Sequence, residues 1–239
     1  MALRKKTPAV PRLFAIGDIH GCVDELAVML KAIAPIPGDT VVFVGDYIDR
    51  GPAAREVVDL LLEFQTGPAK AVFLKGNHED MLLSFMGLPG RYGDAFMFNG
   101  GAPTLESYGI GEADLSATRE LIPPIHLKFF SALQHSYLRP PFLFVHAGIK
   151  PGLPLEEQSD EDLLWIRQEF IFQPHQLETT VVFGHTPMRT VMVDTPYKLG
   201  IDTGLVYGGK LTCLELTEGV VYQVGRGSRQ AKKSRLETD

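Results

Sequence analysis

Residues 41–51 read VVFVGDYIDRG, an apolar run that passes directly into a polar segment. The run at 41–44 is short, continuous and bounded by glycine and charged residues, which is typical of a strand buried on both faces. The segment at 45–51 carries two carboxylates and an arginine. The stretch therefore predicts a buried strand whose carboxyl end presents chemically active side chains.

The same arrangement of an apolar run before a polar segment occurs four more times. The other apolar runs are residues 13–16, 71–74, 142–145 and 181–183. The polar segments that follow them are Gly17-Asp18-Ile19-His20-Gly21, Gly76-Asn77-His78-Glu79, His146-Ala147-Gly148 and Gly184-His185-Thr186. One such segment alone would indicate little, whereas five in order along one chain form a specific pattern.

Helical patterns separate the first three predicted strands. Two sets of apolar residues have the i, i+3, i+4, i+7 spacing of an amphipathic helix. They are Leu26, Met29, Leu30 and Ile33, and then Val57, Leu60, Leu61 and Phe64. The alternation of strand and helix predicts a layered α/β fold. Because strand carboxyl ends meet at one edge of such a sheet, we expect the five polar segments to converge on one cleft.

The segments outside this alternation have different compositions. Residues 86–141 are rich in glycine, proline and aromatics and predict a cap-like insertion, with a helix near 127–133. Alternating apolar residues at 191–193, 211–216 and 220–224 predict antiparallel strands that close a second sheet.

The two ends of the chain are predicted to lie outside the folded domain, which we place at residues 12–224. We expect residues 1–11 to be a flexible N-terminus. Residues 225–239 contain five lysines or arginines and few apolar side chains. This composition predicts a solvated basic tail.

Composition and charge exclude several classes of protein. With 239 residues, of which 45% are hydrophobic, the chain can bury a substantial core without disulfides. A net charge of −6 argues against binding to a nucleic-acid backbone. No apolar run approaches the roughly 20 residues of a membrane helix, and no signal-peptide core is evident. Because Cys22 and Cys213 are too few for a disulfide framework, we expect a cytoplasmic protein.

The polar segments supply oxygen and nitrogen ligands that suit divalent metal ions. Asp18 and His20 are two residues apart, so on an extended backbone both side chains point the same way and can bind one ion. Asp46 has two oxygens with which it can bridge two ions. The other candidate ligands are Asn77, His146 and His185. The set predicts two ions about 3.5–4 Å apart, a spacing that suits binding of a phosphoryl group.

The five segments resemble the signature of the metal-dependent phosphoprotein phosphatase family, in which GDxHG, GDxxDRG and GNHE precede two separate histidine motifs. The resemblance covers about residues 12–216 and implies a calcineurin-like metallophosphoesterase domain, an α/β fold with a β-sandwich flanked by helices. It implies that one metal is bound by Asp18, His20 and Asp46. It implies that the other is bound by Asp46, Asn77, His146 and His185.

The catalytic roles follow from the same resemblance. It makes His78 the general acid rather than a ligand, with Asp49 hydrogen-bonded to it. An imidazolium beside a carboxylate can donate a proton near neutral pH. Arg50 offers two parallel N–H donors to phosphoryl oxygens. Asn77 and Arg167 complete the predicted substrate-binding residues, although the position of Arg167 also fits an exposed arginine on a helix surface.

Other features of the sequence bear on the branch of the family and on the identity of the metal ions. Two-metal sites of nitrogen and oxygen ligands accept manganese, our first expectation, and also iron, zinc or cobalt. Lys75 before GNHE departs from the pattern of many eukaryotic members, and 202–204 (DTG) with 207–209 (YGG) replace their C-terminal loop motif. With the small size, these departures resemble the bacterial and phage-type serine/threonine protein phosphatases.

The leading hypothesis is hydrolysis of phosphoserine or phosphothreonine in proteins by a metal-bridging hydroxide, with a phosphoprotein or phosphopeptide as partner. The alternatives are a symmetrical diadenosine tetraphosphate hydrolase and a phosphotyrosine-preferring phosphatase. A binding module that has lost its metals is disfavoured, because every ligand and acid position is retained. The sequence leaves the oligomeric state open.

Substrate discrimination must come from residues outside the metal cluster, chiefly 91–108 and the loop around Tyr207. A dinucleotide enzyme is expected to offer aromatic planes on which two bases stack, and Tyr92, Phe96 and Phe98 have that capacity. We predict instead that these aromatics pack under the cap, because apolar neighbours such as Met97 accompany them.

Overall fold

The first three apolar runs form strands, as predicted, and these strands are adjacent and parallel. The computed structural model describes residues 10–237, so most of the predicted flexible segment at 1–11 lies outside the described residues. Eleven strands are present in the described part of the chain. They are β1 (Leu13–Ile16), β2 (Thr40–Phe43), β3 (Lys70–Phe73), β4 (Ser136–Arg139), β5 (Phe142–Val145), β6 (Thr180–Phe183), β7 (Met192–Asp194), β8 (Lys198–Gly200), β9 (Lys210–Glu215), β10 (Val220–Gly225) and β11 (Ala231–Arg235).

The strands form two mixed sheets. The first has the order β11-β10-β9-β1-β2-β3, and the second has the order β4-β5-β6-β8-β7. In the first sheet the parallel strands β1, β2 and β3 form one side, and the antiparallel strands β9, β10 and β11 extend the sheet beyond β1. In the second sheet the parallel strands β5, β6 and β8 form the centre, and the antiparallel strands β4 and β7 lie at the two edges.

The two sheets pack face to face. Ala15 and Val42 of the first sheet share one apolar cluster with Phe144 and Val182 of the second. All four side chains are fully buried, because strands at the centre of a sandwich have no solvent-facing side. This core confirms the predicted β-sandwich.

Helices cover the outer faces of the sandwich. Met29 of the first helix and Val57 of the second pack on the outer face of the first sheet. Leu163 and Phe170 cover the outer face of the second sheet. The predicted fold, a calcineurin-like sandwich flanked by helices, is confirmed. The helices are α1 (Val23–Ile33), α2 (Ala54–Gln65), α3 (Asn77–Phe85), α4 (Ala102–Ser107), α5 (Thr118–Leu121), α6 (Pro124–Ser131), α7 (Asp160–Trp165) and α8 (Gln168–Phe172).

The C-terminal strands differ from the prediction in their partners. β9 and β10 extend the first sheet, whereas β7 belongs to the second, so the prediction that all three close one second sheet is wrong. Alternating apolar residues indicate a strand but carry no information about its neighbour. The partner is fixed by long-range pairing, such as Ile16 opposite Cys213.

The predicted solvated tail at 225–239 also needs correction. Residues 231–235 form β11, which pairs with β10 from Val220 opposite Arg235 to Val224 opposite Ala231. The side chains from 232 to 235 are exposed, so the strand lacks the apolar face by which a strand is recognised in sequence. Lysines on such an edge strand discourage further pairing with another chain.

The insertion lies between β3 and β4 and contains α4, α5 and α6. Its last helix, α6, overlaps the helix predicted near 127–133. The predicted range of 86–141 includes β4, which is part of the second sheet. Within residues 10–237, no helix is long and apolar enough to cross a membrane.

One buried carboxylate ties together the first β–α–β unit. Asp39 accepts a hydrogen bond from the backbone N–H of Arg12 at 2.8 Å and one from Ile36 N–H at 2.9 Å. The guanidinium of Arg12 donates to the same carboxylate at 2.6 Å and also to the carbonyl of Ala34, just after α1. Burial opposes ionisation, but these donors outweigh it and lower the pKa of Asp39.

We expect Asp39→Asn to lower the free energy of unfolding by about 2–3 kcal/mol at neutral pH, since charge-assisted hydrogen bonds are lost. The pKa of Asp39 is lower in the folded state than in the unfolded state. Its contribution to the free energy of unfolding is therefore present above its ordinary pKa of about 3.9 and is lost as pH falls through the pKa of the folded state. Urea unfolding at pH 7 and near pH 3 measures both effects. Asp114→Asn, at an exposed position, is the control. Equal stability of wild type and Asp39→Asn at pH 7 would contradict this account.

Candidate active site

The five polar segments meet at one edge of the sandwich, where strands of both sheets end. The backbone N–H of His185, after β6, donates to the Asp18 carboxylate, after β1, at 3.1 Å. The N–H of Gly184 donates to the carbonyl of His146 at 2.8 Å. Side chains from opposite sheets therefore face one another, as the predicted convergence requires.

The first group of metal-binding side chains contains Asp46, His146 and His185, whose candidate ligand atoms lie within 4.8 Å of one another. His146 Nε2 lies 3.0 Å from Asn77 Oδ1 and 3.4 Å from Asp46 Oδ1. His146 Nδ1 is 2.9 Å from the carbonyl of Val44 and must donate its proton there. Nε2 of a neutral His146 is consequently unprotonated and faces two oxygen atoms. Three acceptor atoms therefore lie together, and a cation between them would bind to all three.

The second group contains His20, Asp46 and His78. His20 Nδ1 donates to the carbonyl of Ile48 at 2.7 Å, which leaves the lone pair of Nε2 available to a metal. This Nε2 atom lies 3.5 Å from Asp46 Oδ2. Arg50 Nη1 lies 2.7 Å from the same Nε2 and donates to it. A metal held by His20 would take the place of this contact.

Asp18 lies beside these groups rather than within either one. Its carboxylate accepts the N–H of His185, and a Cβ at Gly184 would collide with Asp18 Oδ1, so only glycine fits at 184. Burial, followed by the charges of Asp202 and Asp46, raises the pKa of Asp18. A nearby cation would remove this penalty, so the placement is compatible with the predicted ligand role, which stays a prediction.

The protonation states of the three histidine ligands and of Asp46 suit metal binding, which needs neutral imidazoles and ionised carboxylates. Burial lowers the pKa of His20 to about 3 despite the opposing charge of Asp46. Burial also lowers the pKa values of His146 and His185. For Asp46, burial opposes ionisation, but the surrounding histidines outweigh it and lower the pKa. The donor set therefore fits two divalent ions held by the predicted ligands.

His78 differs from the other histidines of the site. Its Nδ1 lies 2.6 Å from Asp49 Oδ2, and its Nε2 lies 3.9 Å from Asp46 Oδ2. Burial opposes the charged ring, but Asp46 and Asp49 outweigh burial and raise the pKa of His78. A protonated ring held by its Nδ1 presents the other N–H to the cleft. The geometry fits the predicted general acid, although His78 also stands close enough to His20 and Asp46 to count as a candidate ligand.

Thr104 of the insertion orients Asp49, a contact that sequence analysis missed. The Thr104 hydroxyl accepts the N–H of Asp49 at 2.8 Å and donates to Asp49 Oδ1 at 2.6 Å. Thr104 is fully buried at the start of α4. No local motif marks this threonine, because the two residues are 55 positions apart.

Glu79 is a second residue whose role the sequence did not reveal. Its carboxylate accepts backbone N–H groups of Asp46 at 3.0 Å, Tyr47 at 2.8 Å and Gly76 at 2.9 Å. Burial and the charge of Asp46 raise the pKa of Glu79, whereas the N–H donors and His78 oppose that rise. The two oxygens of Glu79 thus join the loop after β2 to the loop after β3.

The two predicted phosphate-binding arginines both reach the site. The Arg50 guanidinium lies 5.4 Å from the ring of Tyr207 and beside His20. Arg167 Nη1 donates to the carbonyl of His185 at 3.1 Å. Arg167 immediately precedes α8 and is exposed, as the alternative of a helix-surface arginine requires, but its guanidinium also contacts the carbonyl of His185. Its substrate-binding role stays a prediction.

The backbone is strained where these side chains converge. Seven residues other than glycine have φ in the left-handed region in the described chain, and five of them belong to the site. Such values cost about 1–3 kcal/mol each and persist where surrounding contacts impose them. The five are His20, Asp46, Asp49, Arg50 and His185.

The sequence profile of calcineurin-like phosphoesterases matches residues 11–217. The chain therefore belongs to the calcineurin-like phosphoesterase family and is a metallophosphoesterase. Which metals occupy the site is not decided by this membership, and manganese stays a prediction.

Individual relatives carry more specific names. The asymmetrical bis(5'-nucleosyl)-tetraphosphatase PrpE of Halalkalibacterium halodurans is 28% identical over 231 residues, covering 85% of this chain and 89% of its own. The PrpE protein of Bacillus cereus is 27% identical over 229 residues with the same coverage. These names differ from the serine/threonine protein phosphatase branch expected from the sequence.

Solved structures give a similar result. A crystal structure of a candidate diadenosine tetraphosphatase superposes with a TM-score of 0.69 at 26% identity, covering 92% of this chain and 95% of that one. The cold-active protein tyrosine phosphatase of a psychrophilic Shewanella superposes with a TM-score of 0.63 at 16% identity, covering 96% and 81%. The second similarity shows the fold alone.

We expect Asp46→Asn and His78→Asn to separate metal binding from proton donation. Asp46→Asn should lose bound metal and activity together, because one carboxylate faces both ligand groups. His78→Asn should keep its metal and lose about 10²–10⁴-fold in turnover of phenyl phosphate, with a smaller loss for p-nitrophenyl phosphate, whose leaving group needs less protonation. Mass spectrometry of bound metal and steady-state assays measure these effects.

His135→Asn, at a half-buried histidine paired with Asp160, controls for loss of a histidine elsewhere. Wild-type metal content in Asp46→Asn would show that Asp46 does not bridge the ions. An empty site in His78→Asn would make His78 a ligand.

Proposed function

We propose that the protein hydrolyses dinucleoside polyphosphates and cleaves diadenosine tetraphosphate unequally. The site supports hydrolysis of a phosphoryl substrate, and the relatives support the dinucleotide class. Their names specify asymmetrical tetraphosphatases, and the similarity spans 85% of the chain at 27–28% identity. That extent of similarity is the observation that carries the proposal.

The residues of the site suit cleavage of a phosphoric anhydride. Water adds to one phosphorus, the bridging P–O bond breaks, and the departing phosphate oxygen takes one proton. In this proposal Arg50 and Arg167 bind the non-bridging oxygens, and His78 donates the proton from Nε2. Two divalent ions bound by the predicted ligands would polarise the phosphoryl oxygens and activate the water.

Phosphoserine and phosphothreonine hydrolysis in proteins is the second candidate function. The His78–Asp49 pair supports it, because an alkoxide leaving group needs a proton more than a nucleotide phosphate does. Phosphotyrosine has weaker support, since the similar tyrosine phosphatase shares only the fold.

Steady-state assays at equal enzyme and metal concentrations should compare diadenosine tetraphosphate with phosphoserine, phosphothreonine and phosphotyrosine peptides. We expect kcat/KM for the dinucleotide to exceed that for every peptide, because its phosphate chain bears two groups that the enzyme can bind outside the metal centre. Anion-exchange chromatography of the products should give ATP and AMP, since unequal cleavage of four phosphates leaves three on one side and one on the other.

His78→Asn, purified in the same way, controls for a contaminating hydrolase. Two molecules of ADP per substrate would make the enzyme symmetrical, as the original alternative held. A higher kcat/KM for phosphoserine or phosphothreonine peptides would favour the second candidate.

A further inference from the structure

Two separate segments of the chain pack against Arg50. The first is the single helical turn Met97–Gly101 of the insertion, in which the carbonyl of Gly100 accepts the backbone N–H of Arg50 at 2.9 Å. Gly100 has φ of 98°, and a Cβ there would lie 2.8 Å from Arg50 Cγ. Only glycine permits so close an approach, so the turn is fixed against the stem of Arg50.

Phe98 stands out of this turn with 93% of its surface exposed. The turn itself is anchored, since Phe96 is fully buried and Asn99 donates to the carbonyl of Ala95 at 2.8 Å. The prediction that the aromatics pack under the cap is therefore right for Phe96 and wrong for Phe98. Burial of apolar surface stabilises a fold by about 25 cal/mol per Å², and an exposed side chain does not gain this stabilisation. The stability of the fold therefore does not explain a phenylalanine at this position.

Tyr92, the third aromatic of the insertion, has a structural explanation. Its hydroxyl lies 2.9 Å from Glu161, and its ring meets Trp165 edge-on with centroids 5.1 Å apart. These contacts join the insertion to α7. Tyr92 is thus engaged, whereas Phe98 presents a free ring.

The second segment that meets Arg50 is the loop between β8 and β9. Tyr207 lies on this loop with 62% of its surface exposed and its ring 5.4 Å from Arg50 Cζ. The loop is closed by the N–H of Lys210, which donates to Thr203, and by the N–H of Gly204, which donates to Asp202 Oδ1 at 2.9 Å. Tyr207 is consequently held beside the guanidinium on a constrained loop.

We propose that Phe98 and Tyr207 are platforms on which the two nucleobases of a dinucleoside polyphosphate stack. This inference rests on the proposed function and names the part of the site that selects the substrate. Arg50 is predicted to bind the phosphoryl group, so the two ends of the substrate must be recognised by other residues nearby. A dinucleotide carries an aromatic plane at each end of its phosphate chain, and a phosphopeptide has no aromatic planes at such fixed positions. Stacking on an exposed ring recognises any base, because every base has a π-face.

The test compares Phe98→Ala and Tyr207→Ala with wild type on diadenosine tetraphosphate and on p-nitrophenyl phosphate. For each variant we expect the ratio of the two kcat/KM values to fall about 5- to 150-fold, through KM more than kcat. Phe98→Trp and Tyr207→Phe keep a flat ring and should retain the wild-type ratio within about threefold, given the size of a stacking contact. Phe172→Ala, at the exposed phenylalanine that ends α8, is the matched control and should leave the ratio unchanged.

The outcomes separate this inference from the proposed function. If the wild type hydrolyses the dinucleotide and both alanine variants keep the wild-type ratio of kcat/KM values, Phe98 and Tyr207 are not stacking platforms and the proposed function is unaffected. Absence of wild-type turnover of the dinucleotide overturns both. If Phe98→Ala or Tyr207→Ala lowers kcat/KM for phosphopeptides more than for the dinucleotide, the rings bind peptide and the inference is wrong.

Discussion

The buried carboxylate of Glu79 accepts hydrogen bonds from two loops that would otherwise be independent. One loop follows β2 and carries Asp46, and the other follows β3 and carries Asn77. A single side chain with two oxygens thus satisfies backbone N–H groups that no β-ladder reaches. Because each ligand group contains Asp46, a shift of this loop would alter both groups at once. The spacing of the site therefore depends on Glu79.

Glu79 also holds the start of a loop whose backbone is strained. Left-handed φ values at Asp46, Asp49 and Arg50 place two carboxylates and a guanidinium on one short loop. The insertion supports the far end of the same loop, since Thr104 holds Asp49 and Gly100 holds the backbone of Arg50. The insertion consequently contributes contacts to the site, and it links Asp49, the partner of His78, to the surface proposed to select the substrate.

The sequence was informative where local pattern determines structure. Short apolar runs located the parallel strands, and the polar segments after them located the cleft, because strand ends in an α/β sheet lie together. Features that depend on distant partners were not predictable. β11 lacks an apolar face, the roles of Glu79 and Thr104 exist only through tertiary contacts, and Phe98 is exposed although its neighbours are apolar. The names of the relatives differ from the substrate branch that the sequence predicted for a related reason, since metal ligands recognise a phosphoryl group and not what is attached to it.

Calorimetric titration of the metal-free Glu79→Gln variant with Mn²⁺ tests the central claim most directly. An amide places N–H donors against the backbone N–H groups that the carboxylate binds, so we predict Mn²⁺ affinity about 10- to 100-fold below wild type in a chain that retains its circular dichroism spectrum. Glu25→Gln is the matched control, because Glu25 is also buried and also accepts a backbone N–H, from Gly227 at 2.7 Å, but away from the ligand loops. Wild-type Mn²⁺ affinity and stoichiometry in Glu79→Gln would contradict the account.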